Sequence, residues 1–191
     1  MHRWLAIVVL VLAAAWAAPT TTDAQVLPEY RLNPGDVVRI SVWREEELLR
    51  EARIQPDGSV SYPLVGSVPA AGLTTGEVSE EIKVKLEQFI PDAVVTVELL
   101  EAQGYRVYVI GEVNQPGEYQ LAQPITVMQA LSIAGGLTPF AGTRDIRILR
   151  TNVEGQANMV FDYRAVANRG EMDKNIFLMS GDTVIVPASF F

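Results

Sequence analysis

Cysteine is missing from all 191 residues, and the only histidine, His2, stands at the amino terminus. Without thiols there is no disulfide, no thiol nucleophile, no thiolate-bound metal and no cysteine-linked lipid at the start of an exported chain. Loss of the first two dozen residues would also remove the imidazole, which excludes Ser-His-Asp relays and histidine-ligated zinc. Positive charge is scarce as well. A net charge of −8 disfavours nucleic acid and anionic lipid as main partners. The apolar run Trp4 to Ala18 falls short of the roughly 20 residues that span a bilayer comfortably. No metal site and no cofactor are expected, and the chain is read as a protein that is not an enzyme.

What is present begins with Met1-His2-Arg3 ahead of that apolar run, the pattern of a secretory signal. Thr22 and Ala24 put small residues at both required positions, so residues 1–24 are read as signal peptide with cleavage after Ala24. Cleavage after Ala17 is the second choice, and an uncleaved anchor is the alternative. The charge is unchanged by removal, because Arg3 and Asp23 leave together.

Asn33-Pro34-Gly35-Asp36 reads as a turn feeding Val37 to Trp43, where Val38, Ile40 and Val42 alternate with Arg39 and Ser41 as in a half-buried strand. The charge-dense Arg44 to Arg53 is expected to be a loop or a helical turn. Asp57-Gly58 predicts a hairpin from Arg53 to Tyr62, with Pro63 to Val68 continuing as extended chain. Thr74 with Glu77 is a capping box. After it Val78, Ile82, Leu86 and Phe89 predict an amphipathic helix ended by Pro91, then a strand over Ala93 to Glu101.

Gln103-Gly104 is the expected domain boundary. Beyond it the chain is organised around Ile110 to Leu137. Val107, Val109 and Val113 share a strand face with Gly111, and Gln115-Pro116-Gly117-Glu118 fits a type II turn with Gly117 at positive φ. Thr126 and Gln129 form a second capping box, and Gly135 and Gly136 end the helix in the left-handed region. Strands are expected at Asp145 to Arg150 and Met159 to Phe161, with one helical turn at Tyr163 to Ala167. Ile176 to Met179 and Thr183 to Pro187 read as a final hairpin or strand pair around Ser180-Gly181-Asp182. The phrase Gly-Asp before a valine-rich strand thus occurs at Gly35-Asp36 and Gly181-Asp182, where aspartate accepts local N–H groups. The fold class expected is α+β: two small domains, each a mixed sheet with one principal helix.

Several of these phrases resemble a known family. Tyr30 to Val37, Gln55-Pro56-Asp57-Gly58-Ser59, Pro63-Leu64-Val65-Gly66, Ala71-Gly72-Leu73-Thr74 and Pro91 to Val97 look like the polysaccharide biosynthesis/export domain. Val109-Ile110-Gly111-Glu112-Val113, Pro116-Gly117-Glu118-Tyr119 and Gln129 to Leu137 look like the SLBB domain that follows it in Wza-like bacterial polysaccharide export proteins. The resemblance implies an export domain over 25–103 and a β-grasp-like SLBB domain over 104–191. It implies residence in the periplasm in association with the outer membrane, and a ring homo-oligomer acting on polysaccharide. An inner-membrane polysaccharide co-polymerase, or chain-length regulator, is the implied partner. Two departures are the lack of a lipidation cysteine and an end at Phe191, before the C-terminal pore helix of Wza-like members.

The function expected is therefore a non-enzymatic part of a capsular or exopolysaccharide conduit. A periplasmic glycan-binding module is the alternative, with Trp43, Tyr62, Tyr105, Tyr108, Tyr119 and Tyr163 as candidate stacking rings. A carboxylate-based glycosidase would need two acids held across a cleft, and Glu45-Glu46-Glu47 and Glu80-Glu81 are adjacent acids pointing apart.

Overall fold

The computed structural model describes residues 28–152 and 155–189. The signal segment, the Ala24 cleavage position and the terminal Phe190-Phe191 lie outside the described residues.

The first half contains β1 (Val37–Val42), β2 (Glu45–Arg53), β3 (Ser59–Tyr62), β4 (Gly66–Pro69), α1 (Thr75–Leu86) and β5 (Val95–Glu101). Its main sheet has the order β2-β1-β5, antiparallel throughout, and β3 and β4 form a separate ribbon. The alternation in β1 works as the sequence suggests: Val38, Ile40 and Val42 are buried. They meet Val78, Ile82 and Leu86 of α1, whose start is closed by a complete Thr74–Glu77 capping box.

Four expectations in this half are corrected. Arg44 to Arg53 is neither loop nor helix, because its charges serve a sheet. Glu51 on β2 faces Arg39 on β1, which faces Glu98 on β5, with Arg39–Glu51 at 2.7 Å. Asp57-Gly58 does turn the chain, with Gly58 at φ +83°, but β2 and β3 then enter different sheets. The hairpin lies one element later, where Pro63-Leu64-Val65 turns β3 into β4 and pairs Tyr62 with Gly66. Helix α1 stops at Leu86, and Phe89 is 55% exposed.

The second half contains β6 (Arg106–Gly111), β7 (Gly117–Gln120), α2 (Val127–Ile133), β8 (Ile146–Asn152), β9 (Gly155–Phe161), α3 (Tyr163–Arg169), a 3₁₀ turn at Met172–Lys174 and β10 (Thr183–Val186). The sheet order is β7-β6-β10-β8-β9. An opening hairpin, a helix across one face, and a last strand inserted parallel to the first make the β-grasp arrangement. This sheet is mixed, since β10 runs parallel to β6 and antiparallel to β8. Val107, Val109, Ile146, Ile148, Val184 and Val186 face α2 and its buried Val127, Ala130 and Leu131. The expected final hairpin is thus corrected. Residues 176–179 cross the start of α2, where Val127 and Leu178 N–H groups bond to Ile176 and Ile125 carbonyls, and β10 alone joins the sheet. The helical turn after Phe161 is longer than expected, running to Arg169.

The type II turn at Gln115 to Glu118 is also corrected. Gly117 is not at positive φ and opens β7 opposite Val109. The preceding loop is held by the end of α2: Asn114 and Gln115 N–H groups donate to the Gly136 and Ala134 carbonyls at 3.0 and 2.9 Å. Tertiary bonds take the place of the local turn bond.

Candidate functional site

The two Gly-Asp phrases build the same device. In each, glycine lies at positive φ (Gly35 +100°, Gly181 +88°), and the aspartate N–H donates to the carbonyl three residues back at 3.1 Å. The aspartate Oδ2 then accepts the N–H of that same residue at 2.8 Å: Asn33 for Asp36, Met179 for Asp182. Both carboxylates are completely buried. A buried carboxylate needs further partners, and here the two turns diverge.

Asp36 spends its other oxygen across the chain. Oδ1 accepts the Gly104 N–H at 2.6 Å, and the Tyr30 hydroxyl donates to Oδ2 at 2.8 Å. Gly104 fits only because it has no side chain: a Cβ there would lie 2.5 Å from the Pro34 carbonyl oxygen. Tyr30 packs against both hydrophobic cores, its ring centroid 6.0 Å from that of Tyr105. Arg53 spans the same joint, donating to the Gly35 carbonyl and to Gln103 Oε1 at 2.8 Å each. Burial, and then the Asp36 charge, push the Tyr30 phenol well above its ordinary range.

Asp182 clamps a cation instead. Arg150 Nε donates to its Oδ1 at 2.9 Å and Arg150 Nη2 to its Oδ2 at 2.7 Å, a forked contact that also reaches the Phe177 carbonyl. Hydrogen bonding to Asp182 raises the Arg150 pKa. The nearby Tyr105 hydroxyl donates to the Leu178 carbonyl, and burial followed by the Asp182 charge moves its pKa to about 12. These groups brace the fold.

The remaining turn positions are conformational. Pro34 and Gly35 occupy the centre of the first turn. Asp57 accepts the Ser59 N–H, which draws its pKa down. Gly66 and Gly72 lie at φ +73° and +80°. Gly135 and Gly136 close α2 by donating to the Ser132 and Leu131 carbonyls, the paired pattern of a Schellman end. Gly111 allows the tightest approach, since a Cβ would stand 2.0 Å from the Val186 carbonyl oxygen. Pro116 and Gly117 are exposed and make no such approach.

The acids read as poor catalytic pairs all lie on the surface. Glu45, Glu46 and Glu47 are exposed along β2, and Glu80 and Glu81 are exposed on α1. Among the described residues no group of three acids, histidines or cysteines could hold a metal ion. Of the stacking candidates, Tyr62 and Tyr105 are core residues whose hydroxyls bond to carbonyls, and Tyr119 and Tyr163 are half-buried. Trp43 is 71% exposed, and Tyr108 is the only other ring of that set on the surface. Two residues in the braces were not singled out by sequence reasoning. Gly104 carried only the signal of a boundary glycine, and Arg150 carried none, because its partner lies 32 positions away.

Comparison with known proteins places this arrangement. Residues 24–100 match the model of the polysaccharide biosynthesis/export protein family, and residues 106–162 match that of the SLBB domain. The chain belongs to the polysaccharide export protein family. Relatives in that family include the exopolysaccharide production protein ExoF of Rhizobium meliloti (strain 1021), 41% identical over 143 residues, 67% of this chain and 33% of the relative. The polysaccharide export outer membrane protein EpsA for EPS I of Ralstonia nicotianae is 30% identical over 182 residues, 82% of this chain and 47% of its own. The polysialic acid transport protein KpsD of Escherichia coli is 32% identical over 162 residues, 83% of this chain and 28% of its own. The chain spans less than half the length of each of these export proteins.

Proposed function

We propose that this chain is a non-enzymatic component of a capsular or exopolysaccharide export system, exported to the periplasm and associated with the outer membrane. It forms, or adapts, part of the conduit through which the polymer passes. The observation that carries this reading is the succession of the two family matches along one chain. One feature supports it: the buried polar residues described above are engaged in bracing the backbone.

On this reading the 25–103 export domain and the 104–191 SLBB domain act as joined modules of a ring built from copies of the chain. An inner-membrane polysaccharide co-polymerase supplies the polymer. A hydrated polymer must move on, so contacts along its path are weak and repeated. Deletion of the gene, in a strain with no second copy, should abolish extracellular polymer while leaving its synthesis intact. Undiminished polymer in the medium would refute the proposal.

A further inference from the structure

The turn between β1 and β2 is unusual for both of its residues. Val42 pairs with Glu45, so Trp43 and Arg44 alone reverse the chain. Tight turns of this kind favour glycine or asparagine where φ is positive, because a Cβ there is strained. Here Arg44, with a long side chain, takes φ +67°. Its neighbour Trp43 has the largest ring system in the chain's repertoire and leaves 71% of its surface in water. The backbone, by contrast, is well anchored, since the Trp43 N–H donates to the Val94 carbonyl at 2.9 Å. Folding explains neither side chain.

The surroundings supply the missing reason. Trp43 and Arg44 line a shallow open groove with Ser41, Glu45, Glu46 and Leu49. Among the described residues, the guanidinium of Arg44 and the carboxylates of Glu45 and Glu46 have no ion-pair or hydrogen-bond partner, whereas Arg39, one strand residue away from the groove, is paired twice. A flat aromatic face beside unengaged donors and acceptors complements a sugar ring. The ring's C–H face stacks on the indole while its hydroxyls exchange hydrogen bonds with charged groups at the rim. The strongest alternatives fit less well: the outer sheet face around Tyr108 and Ile110 mixes apolar residues with Glu118, Thr183 and Arg147 and has nothing to specify its occupant, and Arg144 and Arg164 line a groove with no aromatic platform.

We propose that the Trp43-Arg44 turn is a sugar-contacting site, at which the Trp43 indole stacks on one ring of a neutral or weakly charged polysaccharide and Arg44, Glu45 and Glu46 bond its hydroxyls. The proposal rests on the export reading and names where the polymer touches the chain. Contact is through one ring, so the affinity is low and compatible with passage.

The test is a fluorescence titration of the full chain with short fragments of the producing strain's own exported polymer. Tryptophan occurs at positions 4, 16 and 43, so the difference between the native protein and Trp43→Phe isolates the turn. A saturable change in the Trp43 emission at millimolar fragment is expected. Trp43→Ala should weaken binding about tenfold as read by a second method such as heat of mixing, with Trp43→Phe between the two. Arg44→Gly should weaken binding while leaving thermal stability equal or higher, since it relieves the positive φ; a merely structural role would move the two together. No emission change with the native fragments, or equal binding by Trp43→Ala, overturns the site. So does a response to phosphatidylglycerol vesicles alone, or a loss of self-association in Trp43→Ala by light scattering. Export that depends on the gene but tolerates Trp43→Ala in full would reject the site and keep the function; export independent of the gene would reject the function.

Discussion

Asp36 Oδ1 accepts the backbone N–H of Gly104 at 2.6 Å, joining residues 68 positions apart at the seam between the two hydrophobic cores. The same carboxylate holds the Asn33 N–H and the Tyr30 hydroxyl. Asp36→Ala would strand three donors in a partly buried joint. A loss of about 3 kcal/mol or more is expected in urea unfolding. Asp36→Asn, which keeps one acceptor oxygen, should lose less.

Arg150 and Asp182 should behave as a unit. Removing Arg150 leaves a fully buried carboxylate without its counter-charge, at a cost of roughly 3–5 kcal/mol. Arg150→Met combined with Asp182→Asn should cost clearly less than the sum of the two single changes. Additive losses in that double-mutant cycle would mean that the forked contact contributes little.

Two glycines of the β6–β7 hairpin separate backbone need from mere occurrence. Gly111→Ala places a methyl 2.0 Å from the Val186 carbonyl oxygen at a φ of +92°, so the β6–β10 pairing must open. The variant should be expressed unfolded or melt far below the parent. Gly117→Ala meets nothing within 4 Å, and a change within about 0.5 kcal/mol is expected by thermal melting. A large loss at Gly117 would restore the type II turn that the structure replaces.

Leu86 and Phe89 test the end of α1. Leu86 is fully buried, and Leu86→Ala should cost roughly 2–5 kcal/mol. Phe89 lies past the helix and is 55% exposed, so Phe89→Ala should stay below about 1 kcal/mol in the same denaturation assay.

Alkaline pH should destabilise the protein in a defined window. Tyr105 is raised to about 12 in the folded chain, against about 10 when unfolded. The neutral phenol is thus favoured by folding: its contribution is complete below about pH 10 and lost as pH rises through 12. Tyr30 and Tyr62 are shifted in the same direction, chiefly by burial. Urea midpoints should hold steady at neutral pH and fall across that window, and Tyr105→Phe should flatten the fall. An unchanged slope in that variant would assign the titration elsewhere.

Structure whose hydrogen bonds close within a few residues was legible from the residues alone. The Asn33 to Asp36 turn, the Thr74–Glu77 and Thr126–Gln129 capping boxes and the buried face Val38-Ile40-Val42 all follow from local spacing. Where partners were distant, local reading failed in particular ways. Glu45 to Arg53 looked too charged for a strand, because the opposing Arg39 and Glu98 sit on other strands. Gly117 looked like a turn glycine, because the carbonyls of Ala134 and Gly136 that hold the loop come from the far end of a helix. Trp43 looked like the last residue of a strand, because the turn it belongs to contains no glycine and is closed by the pairing of Val42 with Glu45.

The amino-acid sequence by itself determined the two Gly-Asp turns, the helix caps, the buried face of β1 and the α+β class, because each rests on steric and hydrogen-bonding preferences that act over one to four residues. Only the tertiary structure decided that β10 slips between β6 and β8, that Asp36 reaches Gly104, that Asp182 grips Arg150 and that Trp43 stands in water. Those outcomes depend on which buried groups find partners once two cores have closed, and no short stretch of chain contains both sides of such a contact.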